Sequence, residues 1–364
     1  MAQWQYANPV RLSFGRGAFA RAAAAVGRRR YCLVTYDKPA MFRELAARLA
    51  TAAGPAAATV EIAAANPDFH ALARACRRYA EASPPPEVIV AIGGGSVLDA
   101  AKVLAAAGGD FERVRRHLES PNGADLPRPI PIVAVPTTAG TGSEVTGWAT
   151  VWDTDAKKKY SLAHPLLYPE HAIVDPDLTL AAPRALTVST GLDALSHALE
   201  SIWNVNANPV STALAIAAAL GALDCLPRLV RNLGDADLRE AMARASTLAG
   251  LAFSNTRTAL AHSLSYHLTL HHGVPHGIAC SFSLPAVMRA VIGCDPACDA
   301  ALAAIFGPDL GAGADRLAAF LEDLGVSTRA RDHGVDEADW SGLIDRALAG
   351  ERGRNFIGKR AALG

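Results

Sequence analysis

The sequence predicts an α/β domain followed by an all-helical domain, and three observations carry that expectation. Short β-branched runs alternate with helical stretches through the first half. After Pro183 the pattern is helical to about residue 350. The chain has 364 residues, 51% of them apolar, which is long for one core and rich enough for two.

The elements follow in order. YCLVTY (31–36), EVIVAIGG (87–94) and PIPIVAVPTT (129–138) read as strands, with helical FRELAARLATAAG and SVLDAAKVLAAAG between them. Near-continuous apolar strands separated by helices indicate a parallel sheet covered on both faces, a Rossmann-like arrangement. TGWATVWD (146–153) and KKYSLAH (158–164) read as an added hairpin, and HAIVDPDL (171–178) as one more strand. The Ala-rich stretches at 45–65 and 213–222 read as helix formers. Helix breaks are expected at Pro209, Gly234, Gly273-Val274-Pro275 and Pro308, and Thr187 or Ser189 is the expected cap of the first C-terminal helix. The domains are therefore drawn as 1–182 and 183–364, with an interdomain cleft as the expected ligand site.

AIGGGSVLDAAK (91–102) is a strand, a glycine turn and a helix start. Bare glycine backbone and the free N–H groups of a helix N-terminus suit a phosphate. The stretch is neither G-x-G-x-x-G nor a P-loop. VPTTAGTGSE (135–144) follows another strand with three threonines and a serine. Two such loops after parallel strands fit a dinucleotide at the C-terminal edge of the sheet. Asp37, at a third strand end, suits the adenosine ribose 2′-OH, although Lys38 beside it would accept a 2′-phosphate, so NAD(H) and NADP(H) both remain open.

GLDALSHALE (191–200) puts Asp193 and His197 four residues apart, on one helix face. Five of the eleven histidines (His262, His267, His271, His272 and His276) fall between 262 and 276. His262 is expected on the continuation of the preceding helix, and His276 at the start of a new element after Pro275. Those two can converge on the Asp193/His197 face, and one carboxylate with three imidazoles suits a divalent ion such as Fe2+ or Zn2+. His271 and His272 read as a solvent-facing loop pair.

Composition excludes other classes. Lys+Arg and Asp+Glu balance at 35 each, so no basic field points to nucleic acid. The six cysteines form no zinc-knuckle spacing and read as thiols of a reducing compartment. No signal peptide and no run of eighteen apolar residues is evident, and a cytoplasmic protein without a membrane span is expected.

NPVRLSFGRGA, GGGSVLDAAK, PTTAGTGSE, IVDPDL, GLDALSHALE and HSLSYHLTLHHGVPHG occur in this order. Together they resemble the iron-containing (group III) metal-dependent alcohol dehydrogenases over nearly the whole length. The resemblance implies an N-terminal dinucleotide-binding domain and a C-terminal metal-binding domain. Metal ligands would be Asp193, His197, His262 and His276. Cofactor contacts would be Asp37, Asn66, Gly94, Gly95, Ser96, Thr137, Thr138 and Lys159. It further implies NAD(P)-dependent interconversion of a primary alcohol and an aldehyde, often in a homodimer or higher homo-oligomer. The family's usual histidine four residues after the third ligand is replaced here by Tyr266, beside His267; these two are the candidate proton relay. SNTRTALAH carries Arg257, whose guanidinium would pair with a phosphonate, phosphate or carboxylate. Arg257, the SY pair, VPHGIACSFSLP and GERGRNFIG are similar to a phosphonate-pathway subgroup. That implies reduction of phosphonoacetaldehyde to 2-hydroxyethylphosphonate, with Arg354 a second anion-binding candidate. A neutral aliphatic alcohol or aldehyde is the alternative substrate.

Overall fold

The computed structural model describes residues 3–63, 65–120 and 126–363. Two compact units emerge: one of Pro9–Thr138 and Ser143–Thr179, the other of Met1–Asn8, Ala139–Gly142 and Leu180–Gly364.

The first unit is built on a six-stranded sheet. Its strands are β1 (Arg11–Phe14), β2 (Tyr31–Tyr36), β3 (Ala58–Ile62), β4 (Val88–Gly93), β5 (Ile132–Pro136) and, after a hairpin, β8 (His171–Val174). The spatial order is β1-β8-β5-β4-β2-β3 and every pairing is parallel. The hairpin, β6 (Trp148–Asp153) with β7 (Lys158–Ala163), is antiparallel and forms its own small sheet. Helices α1 (Ala22–Val26), α2 (Ala40–Ala53), α3 (Phe69–Ala80), α4 (Gly95–Ala107) and α5 (Phe111–Glu119) cover the large sheet. Strands β4 and β5 carry no polar side chain because both faces are packed: Ile89 and Ala91 of β4 join one core, Val88, Val90 and Ile92 the other. The Ala-rich stretch 45–65 is helical only to Ala53. Its later residues form the edge strand β3, because Thr59, Val60 and Ile62 pair with β2 and bury Val60 and Ile62.

The second unit contains α6 (Arg184–Ile202), α7 (Pro209–Arg231), α8 (Ala236–Thr256), α9 (Leu260–His272), α10 (His276–Ser281), α11 (Leu284–Val291), α12 (Pro296–Phe306), α13 (Leu310–Asp323) and α14 (Glu337–Ala349). Helix α6 begins on Pro183, not on a hydroxyl cap. Thr187 sits inside the helix, where its Oγ accepts from the buried Arg239, which also donates to the Ala182 carbonyl. Helix α7 opens with an Asn208/Ser211 capping box and Pro209 in its first turn. By length and composition α7 is apolar enough to cross a membrane, a feature that its Ser211, Thr212 and Asp224 hide from a search for unbroken apolar runs. Here it buries Ala215, Ala219, Ala222, Leu226 and Leu229 in the core it shares with α6 and α8.

The segment leading to His262 is not one continuous helix. Helix α8 ends at Thr256, Arg257 takes a left-handed conformation (φ 63°), and α9 starts at Leu260. Three side-chain amides receive the carbonyls freed by the break: Asn206 donates to Thr256, Asn204 to Arg257 and Asn355 to Thr258.

Candidate metal centre and cofactor loops

Helix α6 carries Asp193, His197 and Glu200 at i, i+4 and i+7, one buried face. His262 enters from the first turn of α9 and His276 from the first residue of α10. Two glycines permit this convergence. A Cβ on Gly277 would stand 1.8 Å from the Ser189 carbonyl oxygen, so only glycine lets α10 lie this close to α6. A Cβ on Gly140 would stand 2.5 Å from the Thr190 carbonyl oxygen, and that approach brings the Gly140 carbonyl to 3.3 Å from His197 Nδ1.

The donor atoms meet at Asp193 Oδ1. His262 Nε2 lies 3.4 Å away, His197 Nε2 3.8 Å and His276 Nε2 4.0 Å. Donors about 2.1 Å from a shared ion at tetrahedral angles stand about 3.4 Å apart, which the His262 spacing matches, while His197 and His276 stand somewhat wider. Two of the rings are oriented from behind. Glu200 Oε2 is 2.5 Å from His262 Nδ1, while its Oε1 accepts from the Ala261 and His262 amides at 2.6 and 3.3 Å. His197 stacks on Phe253 with centroids 4.0 Å apart. Burial, opposed by the nearby Asp193 charge, pushes its imidazole down to about 4, so its Nε2 lone pair is free to coordinate. Burial opposes the charge of Asp193, yet His197, His262 and His276 hold its carboxyl well below the usual range. Asp193 Oδ1 and His262 Nε2 are enclosed without a hydrogen-bond partner. Leaving such atoms unmet costs about 1–3 kcal/mol each, and a cation among them removes that cost. The residues present therefore fit a divalent ion. Glu200, and Cys280 one turn beyond His276, belong to this cluster and were not singled out in the sequence. Both signals were legible: Glu200 continues the 193/197 face, and Cys280 is at i+4 from His276.

Other candidates lie around it. Tyr266 is one turn beyond His262 on the same face of α9. His267 stacks on His271 and packs against His272, centroids 4.4 and 5.3 Å apart. His271 and His272 form the last turn of α9 instead of a loop, and both are exposed. Arg257 pairs with Glu351 at 2.7 Å, the two side chains 46% and 61% exposed. Arg354 is exposed, in a short 3-10 turn after α14.

In the sheet unit, Asp37, Gly94–Ser96 and Thr137–Thr138 follow the C-terminal ends of β2, β4 and β5, which are neighbours in the sheet. The chain reverses its direction of travel across the sheet between β2 and β4, the switch point where α/β sheets take ligands. Gly94 precedes the first turn of α4, and a Cβ there would meet Thr138 at 3.3 Å. Asn66, also left-handed (φ 52°), donates its N–H to Ser96 Oγ at 2.9 Å, and the Thr137 N–H donates to the Gly93 carbonyl. Lys159 in β7 lies opposite Trp152, and its charge is felt at Asp99. Lys102 is fully buried and ties α4 to the chain after the threonine loop. Its ammonium donates to the Ser143 and Trp148 carbonyls, both at 2.7 Å, and to the Ser143 and Thr146 hydroxyls. Ser143 in turn donates to Asp99.

Glycine and threonine loops on a parallel sheet, with a carboxylate–imidazole cluster in the helical unit, have the layout of a dinucleotide- and metal-dependent oxidoreductase. The profile "Iron-containing alcohol dehydrogenase" matches residues 9–176, and "Fe-containing alcohol dehydrogenase family, C-terminal" matches residues 187–357. The NAD-dependent methanol dehydrogenase of Bacillus methanolicus is 36% identical over 271 residues, 72% of this chain and 71% of that protein. The phosphonoacetaldehyde reductase of Streptomyces viridochromogenes is 39% identical over 208 residues, 56% of this chain and 53% of that relative. A crystal structure of sulfoacetaldehyde reductase from Bifidobacterium kashiwanohense in complex with NAD+ is similar with a TM-score of 0.90 and 30% identity, covering 100% of this chain and 97% of that one. The chain belongs to the iron-containing alcohol dehydrogenase family. It is an oxidoreductase of the alcohol–aldehyde class that uses a divalent metal and a nicotinamide dinucleotide.

Proposed function

We propose that the protein reduces phosphonoacetaldehyde to 2-hydroxyethylphosphonate, with Asp193, His197, His262 and His276 holding the metal. Asp37, Asn66, Gly94, Gly95, Ser96, Thr137, Thr138 and Lys159 hold the dinucleotide in this reading. The observation that carries the substrate is Arg257. A non-glycine residue at positive φ costs about 1–3 kcal/mol, and such strain is retained where function needs the side chain's position. Its pairing with Glu351 is half exposed, worth at most about 1 kcal/mol, so a dianionic phosphonate can displace the carboxylate. Two relatives support an anionic two-carbon aldehyde: the phosphonoacetaldehyde reductase above, and the sulfoacetaldehyde reductase of Bilophila wadsworthia, 33% identical over 280 residues.

In this mechanism a bound divalent ion supplies Lewis acidity toward the aldehyde oxygen, and the reduced dinucleotide supplies the hydride. Glu200 fixes His262 with Nε2 forward, and the Gly140 carbonyl does the same for His197. Arg257 holds the charged end of the substrate and so limits the positions of the reacting carbon. Tyr266 is better placed than His267 to pass a proton to the product oxygen, since it shares the His262 face whereas His267 is engaged with His271. Arg354 is a second exposed cation for the same anion. A cytoplasmic location, supported by six free cysteines, and a homo-oligomeric state belong to the same reading.

A neutral alcohol is the second reading, favoured by the methanol dehydrogenase and by the 1,3-propanediol dehydrogenase of Klebsiella pneumoniae, 36% identical over 275 residues. Kinetics on phosphonoacetaldehyde and propanal, with NADH and NADPH, separate the two. For Arg257→Ala we expect kcat/KM to fall at least about a hundredfold on phosphonoacetaldehyde and less than about threefold on propanal, the loss of a charge-assisted pair of about 3 kcal/mol. Equal losses on both substrates refute the anchor.

A further inference from the structure

We propose that Cys280 is a further metal donor, so that the centre is a carboxylate–imidazole–thiolate site. This rests on the reading of Asp193, His197, His262 and His276 as the metal centre, and adds a sulfur to it.

Three observations carry the proposal. Cys280 lies one turn after His276 in α10, on the same helix face, and its Sγ is 3.6 Å from His276 Nε2. A sulfur at about 2.3 Å and a nitrogen at about 2.1 Å from one ion, at tetrahedral angles, stand about 3.6 Å apart. One donor atom each from Asp193, His262, His276 and Cys280 lies within 4.8 Å of the others. The second observation is the pair of enclosed atoms in that group, Asp193 Oδ1 and His262 Nε2, which lack a hydrogen-bond partner. Both residues are only 3% exposed. The third concerns the other thiols. Cys32, Cys76, Cys225 and Cys298 are buried within apolar cores, whereas the fully buried Cys280 belongs to none of them. Its polar surroundings include His262, Asp193 and Ser265. An enclosed thiol among unmet carboxylate and imidazole atoms has the environment of a ligand, not of a core methyl substitute.

On binding, the S–H bond is replaced by a sulfur–metal bond and the proton passes to solvent buffer. No electron changes hands. A thiolate moves the site's preference toward softer ions, Zn2+ or Co2+, relative to an all-nitrogen-and-oxygen set.

The test is spectroscopic. Metal-free full-length protein is titrated with Co2+ and its absorption recorded, for wild type, Cys280→Ser and Cys280→Ala. Wild type is expected to bind one Co2+ with a thiolate-to-cobalt charge-transfer band in the near ultraviolet. The variants are expected to bind cobalt through Asp193 and the imidazoles without that band, and to hold Zn2+ about tenfold or more weakly in competition with a chromophoric chelator. X-ray absorption on the zinc-loaded wild type gives the same answer without a variant: a sulfur in the first coordination shell. Stoichiometric cobalt without the band, or zinc without a sulfur neighbour, overturns the role of Cys280 and leaves the metal centre standing. Failure of wild type to bind either ion overturns both.

Discussion

Buried Glu200 gives one carboxylate oxygen to the amides that open α9 and the other to His262 Nδ1. A single side chain thereby fixes where a helix begins and which imidazole nitrogen faces Asp193. In the sheet unit, Glu144 is a buried carboxylate of another kind. Burial, opposed by its own backbone N–H and by Lys102, pushes its carboxyl up to about 7. A pKa raised on folding contributes stability that is complete below the unfolded value near 4.5 and is lost as pH rises through 7. Glu144→Gln should therefore leave stability almost unchanged at about pH 4 and raise it at about pH 8, by at most about 3 kcal/mol. Urea unfolding at the two pH values checks this; an equal effect at both is the contrary result. The residue scale was only partly legible in the sequence. Asp193 and His197 stand out because i, i+4 spacing defines a face, and Glu200 continues it. Glu144 and Lys102 do not stand out, because their burial depends on the chain after β5 folding onto α4, a long-range event.

Helix α10 shows what decides geometry at the scale of elements. It has six residues, too few for a stable helix in isolation, and its place is set by contact with α6 at Gly277. Gly277→Ala would drive a methyl into the Ser189 carbonyl, so α10 must retreat and carry His276 with it. We expect a loss of about 3 kcal/mol in denaturant unfolding and a fall in bound metal per chain. Native stability with full metal content would show that the close approach is dispensable. Strong local patterns such as β2, β4, β5 and the break before His276 were readable from composition and punctuation. The strand β3 was not, because an Ala-rich run is a helix former until a neighbouring strand offers its edge. The helical pattern around Arg257 does not by itself show the interruption, for a related reason. No glycine or proline marks it, and the donors that make it tolerable, Asn204, Asn206 and Asn355, come from distant parts of the chain.

At the scale of the whole molecule, the residues assigned to the metal all belong to the helical unit, and those assigned to the dinucleotide all belong to the sheet unit. A bound ion stabilises the state that holds it, by about 2.7 kcal/mol at a hundredfold excess over its Kd. Chelation should therefore lower the temperature at which the helical unit melts, and Fe2+ or Zn2+ should restore it. NAD+ affinity of the metal-free protein should stay within a few-fold of the original. Calorimetry with and without chelator, and a dinucleotide titration of the metal-free form, check both halves. An unchanged thermogram would remove the ion from the stability of the helical unit.

The division of information between sequence and structure follows from the range of the forces involved. Hydrophobic periodicity, glycine turns and i, i+4 spacing act over a few residues, so the linear order of GGGSVLDAAK, PTTAGTGSE and GLDALSHALE was enough to define the α/β and helical halves, the candidate cofactor loops and half of the candidate metal cluster. The meeting of α6, α9 and α10 joins residues up to 88 positions apart, Ser189 and Gly277. It depends on a glycine contact, a buried Glu200 and three asparagine amides. Only the folded chain brings those groups together, and with them the thiol of Cys280.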